Sequence, residues 1–111
     1  MVLALSGIAT PGAYTTTAEL NTGDYQYAPR NGVLTLVAKA SAVNINAQLS
    51  VGGVTVCNDQ NVVFIGTSGT ITVRDNVVAQ VGVKQGSKIS FKLRNTGATA
   101  GTTCDYMLFF D

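Results

Sequence analysis

The sequence contains no histidine and no tryptophan, only two cysteines and two prolines in 111 residues, and charged side chains make up just 12% of it. Each shortage excludes something. Without histidine the commonest general base is missing, and Cys57 has no imidazole to activate it as a nucleophile. Two separated cysteines and no histidine cannot make a zinc site. The six acidic residues stand singly (Glu19, Asp24, Asp59, Asp75, Asp105 and Asp111), so a glycosidase-type carboxylate pair would have to be assembled from separate strands. The seven basic residues form no run, whereas a nucleic-acid footprint needs them clustered. No apolar stretch reaches the roughly 18 residues of a membrane-crossing helix. The start of the chain is mildly apolar, but no basic residue precedes it and the first charge is Glu19, so no signal peptide is expected. There is no phosphate-cradling glycine motif. The expectation is a protein with no catalytic residue, no metal, no cofactor and no small-molecule substrate. Asp59 beside Asn58 and Asp75 beside Asn76 do offer the oxygen ligands that calcium takes, but the ordinary role of such pairs is to shape turns.

What the chain does have is hydrophobic residues, 46% of the total, with Thr, Asn, Ser, Gln and Gly in place of the missing charges. Its length suits one domain with a core of its own. Short uncharged polar groups cost less to desolvate than Lys and Glu, which suits a surface that spends its time against other protein. Cys57 and Cys104 read as two buried thiols acting as small hydrophobes; a disulfide between them is the alternative and would imply an oxidising compartment.

The patterning is that of strands. From 43 to 51 every odd position is apolar and every even position polar, which is the period of a half-buried strand. Gly52-Gly53 follows, a tight hairpin signal, and then 54–57. Further strands are expected at 32–39, 61–65, 70–74, 88–94 and 103–110, and 77–83 is a strand or an extended connection. In 88–94, Ile89, Phe91 and Leu93 point inward while Lys88, Ser90, Lys92 and Arg94 point outward. Those bases either guard an edge or meet an acidic partner. The last strand ends apolar on both faces, so cover is expected on each side. Seven or eight strands at such spacing predict an all-β domain, a jelly-roll or Greek-key β-sandwich of about eight strands. Residues 1–23, broken by Pro11-Gly12, are either an extended N-terminal arm or an edge strand, and 24–111 form the sandwich. Tyr25 and Tyr27 share one face ahead of an Asn31-Gly32 turn and are either contact anchors or the rim of a core.

The Thr- and Ala-rich start (14–18), the low-charge strands such as 43–51, the Gly-Ser-Lys-Ile-Ser-Phe run (86–91) and the apolar final strand together resemble the small jelly-roll decoration, or cement, proteins of tailed-phage capsids. The run from 81 to 91 also looks like the trimeric jelly rolls of the complement-C1q and tumour-necrosis type. The first resemblance implies a structural virion protein on the capsid exterior, made in the host cytoplasm. Its partners would be the major capsid protein and itself, as a homotrimer. The residues expected in such contacts are Val2, Leu3, Leu5, Tyr14, Tyr25, Tyr27, Lys88, Lys92, Arg94, Met107 and Phe109. The alternative is a carbohydrate- or receptor-binding β-sandwich module of a phage tail or other surface assembly, for which Tyr14, Tyr25, Tyr27 and Tyr106 would have to supply the stacking platform.

Overall fold

The computed structural model describes residues 2–66 and 76–111. Among these residues there is no helix. Seven strands follow in chain order: β1 (Val2–Ala9), β2 (Gly32–Ala40), β3 (Ile45–Val51), β4 (Val54–Asn61), β5 (Val77–Val83), β6 (Ile89–Asn95) and β7 (Cys104–Phe110). They form two sheets, β1-β7-β2-β5 and β4-β3-β6, and all strand pairs are antiparallel. The strand expected at 70–74 lies outside the described residues.

The alternating patterns translate directly into burial. β3 and β6 each alternate buried and half-buried positions along their whole length. Ile45, Ala47 and Leu49 from β3 meet Ile89, Phe91 and Leu93 from β6 and Leu34, Leu36, Leu108 and Phe110 from the other sheet in one hydrophobic cluster. The two sheets therefore share one core, as in a sandwich. Phe91 lies at its centre, fully buried, with its ring edge-on to Tyr106 at 5.3 Å. Gly52 and Gly53 make the β3–β4 turn at φ 59° and 82°, the left-handed region that a primed hairpin turn requires.

Two expectations need correcting. Residues 61–65 are not a strand: β4 continues to Asn61, and the stretch beyond it pairs with β2 in an isolated bridge between Ala40 and Ile65. Val62 is nonetheless fully buried in the core, and its amide donates to the Ile45 carbonyl. The run 54–57 proves too short, because β4 is an edge strand whose polar end, Asn58 to Asn61, still pairs with β3 through register shifts.

Residues 14–28 run along the free side of β6. Backbone bonds join Thr17 to Leu93, Leu20 to Phe91, Gln26 to Ile89 and Ala28 to Ser87. Where the segment departs from strand geometry, side chains stand in for carbonyls. Thr17 Oγ1 accepts the Leu93 amide at 3.1 Å and Glu19 Oε2 accepts the Phe91 amide at 2.6 Å. Glu19 also accepts from the Ser90 hydroxyl. A second pin is Asn95, fully buried: its Nδ2 donates to the carbonyls of Pro11 and Thr99, and its Oδ1 accepts from Asn44 and Gly97.

Candidate functional site

The outer faces of the two sheets differ in kind. On β7, Tyr106, Leu108 and Phe110 belong to the core, so Asp105, Met107 and Phe109 face away from it. The β1–β7 register sets Leu3 opposite Phe109, Ser6 opposite Met107 and Ile8 opposite Asp105. The β2–β7 register adds Thr35 opposite Phe109 and Val37 opposite Met107, and the β2–β5 register adds Val77 opposite Val37. Leu3, Ile8, Val33 and Val77 remain 48%, 60%, 38% and 39% exposed, and Met107 and Phe109 are half-buried. Antiparallel sheets with one wet face normally alternate apolar inside with polar outside. β1 and β7 do so only in part: Leu3, Ile8, Met107 and Phe109 make an apolar patch on the outer face beside Ser6, Asp105 and Lys39, with a shallow depression between Leu3, Ser6, Ile8, Asp105 and Met107. Connected exposed patches of this sort mark contact sites.

Gly7 belongs to the same strand pair for a different reason. A Cβ there would lie 2.7 Å from the Tyr106 hydroxyl oxygen, so only glycine lets β1 lie flat against that ring.

The outer face of β4-β3-β6 is polar. Gln48, Ser50, Thr55, Asp59, Ser90 and Lys92 line a depression across it. Arg94 approaches Asp59 at 2.5 Å, Gln48 donates to Asp59 at 3.2 Å, and Asn61 donates to Asn46 at 3.0 Å. Burial alone would raise the Asp59 carboxyl, but hydrogen bonds from Gln48, Asn46 and Arg94, together with the Arg94 charge, hold it below its ordinary value. Asp59 sits at φ 55° next to the register shifts of the β3–β4 pair, a strained position stabilised by these bonds. Its carboxylate is thus engaged by a guanidinium. Among the described residues, no group of three or more His, Cys, Asp or Glu is placed to hold a metal ion. Asp75 lies outside the described residues.

The residues expected at contacts divide between these faces. Leu3, Met107 and Phe109 come together on the outer side of β1 and β7, whereas Val2 stands opposite the core residue Phe110 and so lies on the inner side of the strand. Leu5 does not join them. The bulge between Leu3 and Leu5 turns Leu5 inward, where it packs against the core. Lys92 and Arg94 lie on the polar face. Tyr27 is exposed opposite Lys88 at one end of β6, and Tyr14 is exposed at the other end, where its amide donates to Gly97. The length of β6 separates those tyrosines by roughly 20 Å, Tyr25 is half-buried, and Tyr106 is in the core. These four rings form no common platform. Ile8, Val33 and Val77 on the apolar face are not singled out by the sequence, because pairing register decides which side they take.

Cys57 and Cys104 are both buried free thiols. Burial, with Asp105 beside it, pushes Cys104 up to about 12, and burial raises Cys57. Among the described residues no helix is long and apolar enough to cross a membrane. No protein-family profile, curated protein or solved structure matches the chain.

Proposed function

We propose that the chain is a structural protein that works by adhering to other protein through the apolar outer face of its four-stranded sheet. That face, with Leu3, Ile8, Met107 and Phe109 on neighbouring strands, is the observation that carries the reading. Taking residues 14–28 as an irregular eighth strand supports a jelly roll. The order becomes β1-β7-β2-β5 over (14–28)-β6-β3-β4, and the chain changes sheet at every connection except the β3–β4 hairpin. The capsid-decoration type fits this architecture, with the major capsid protein as partner, several copies acting together, and three the number its resemblance implies. The site of action is then the capsid exterior.

The test is to mix the purified protein with capsid shells that lack it and to sediment them. The expected result is saturable co-sedimentation, with the protein an oligomer by light scattering. A strictly monomeric chain that stays in the supernatant overturns the reading.

A further inference from the structure

A sheet edge exposes a row of unpaired amides and carbonyls, and folded proteins blunt such edges with charge, proline, bulges or a covering segment. Three of the four edges here are treated in that way. Residues 14–28 cover β6, down to the Thr17 and Glu19 side chains that accept its amides. The β4 edge carries Asn58, Asp59, Gln60 and Asn61, register shifts, and the positive φ of Asp59. The β5 edge, likewise without charge or proline, has a bulge between Val77 and Ala79 and meets Gln60, whose Nε2 donates to the Val78 carbonyl.

β1 has only the bulge between Leu3 and Leu5. Its eight residues, Val-Leu-Ala-Leu-Ser-Gly-Ile-Ala, include no charge and no proline. One side pairs with β7, and among the described residues no other backbone hydrogen bond reaches it.

We propose that this edge pairs with β1 of a second copy of the chain, joining two four-stranded sheets antiparallel into one. The strand is suited to its own image. Leu3 and Ile8, its most exposed large side chains, sit near opposite ends on the same outer face. An antiparallel copy centred on Ser6 sets Ser6 across from Ser6 and Leu5 across from Gly7. Past the bulge, it sets Leu3 beside the copy's Ile8. A two-fold contact makes each of these matches twice. The joined sheet also continues the apolar outer face across both copies, and to that extent the pairing rests on the reading of that face as a contact surface. Strand-to-strand pairing alone is small beside the roughly 1,200 Å² of a stable interface, so the pair is concentration-dependent. Where three copies gather through the face, edge pairing links those trimers two by two.

Ser6→Cys tests the register directly. Opposed antiparallel residues have Cα atoms about 4.5–5.5 Å apart, inside the range a disulfide spans, and the native thiols are buried. Under mild oxidation the variant is expected to give a two-chain disulfide product, while Val43→Cys, exposed and away from β1, stays single-chain. Ile8→Lys, at an exposed position, is expected to halve the particle mass in sedimentation velocity with little change in Tm. A Ser6→Cys yield no greater than that of Val43→Cys, or a mass that Ile8→Lys leaves unchanged, overturns the pairing. Ile8 also lies on the apolar face, so Phe109→Asp, on β7 away from the free edge, separates the two readings in the Ser6→Cys background. A cross-link that persists while shell binding is lost supports edge pairing apart from the face. Shell binding kept by Ser6→Cys alone without a cross-link overturns the pairing and leaves the proposed function standing.

Discussion

Leu3 of β1 stands directly across from Phe109 of β7 on the outer side of the four-stranded sheet, and Leu5, two residues on, packs into the core. A regular strand would put Leu3 and Leu5 on the same side. The bulge between them inserts one residue and separates their fates. The apolar outer face therefore depends on that irregularity as well as on composition.

Phe91 is the keystone of the shared core. Phe91→Ala removes a fully buried ring and its edge-on contact with Tyr106, at a cost of about 3–5 kcal/mol. Chemical denaturation is expected to show a loss of that size with the slope unchanged. A loss under about 1 kcal/mol would mean the core collapses to fill the space.

Glu19 and Thr17 hold the irregular segment on β6 by accepting otherwise orphaned amides. Glu19→Ala and Thr17→Ala are each expected to cost about 1–3 kcal/mol. Amide hydrogen exchange should accelerate at Phe91 in the first and at Leu93 in the second. Uniform acceleration along β6 would contradict side-specific capping.

The thiols set an alkaline limit. A folded-state value of about 12 for Cys104, against about 8.5 in an unfolded chain, means that the unfolded state gives up its proton first as pH rises. The stabilisation is complete below about 8.5 and is lost on the way to 12. Tm is therefore expected to fall through that window, less steeply in Cys104→Ala once its own cavity cost is subtracted. Thiol reagents at neutral pH should label neither cysteine until the chain unfolds.

Asp59 sets a smaller acid effect of opposite sign. Its carboxyl is held below the ordinary value, so its contribution is present above the unfolded value and disappears as pH falls through the folded one. The pair with Arg94 is half-exposed, and Arg94→Ala is expected to cost no more than about 1 kcal/mol at neutral pH. Salt titration of Tm checks this, since the effect should shrink with ionic strength.

Much of the fold was legible in the sequence where the physics is local. The alternation of 45–51 became the buried and half-buried alternation of β3, Gly52-Gly53 became its hairpin, and Ile89, Phe91 and Leu93 faced inward as their spacing required, whereas Val43, expected to begin the strand's inward face, stands exposed in the turn before it. The illegible parts depend on distant partners. Thr17 and Glu19 look like ordinary polar residues until β6 presents its amides to them. Val62 reads as part of a strand at 61–65, yet it lies beyond the end of β4, buried in the core and joined to Ile45 by one backbone bond. The apolar face was half visible, in the unbroken run of β7, but Ile8, Val33 and Val77 join it only through register.

The most direct measurement compares the two outer faces by binding to shells that lack the protein, with wild type, Phe109→Asp and Lys92→Ala side by side. Phe109 is expected to act as an anchor, so Phe109→Asp should weaken binding by about 30-fold or more, the effect of losing about 2 kcal/mol. Lys92→Ala, on the polar face, should bind as wild type does. Loss of binding in Lys92→Ala with Phe109→Asp unaffected would contradict the account.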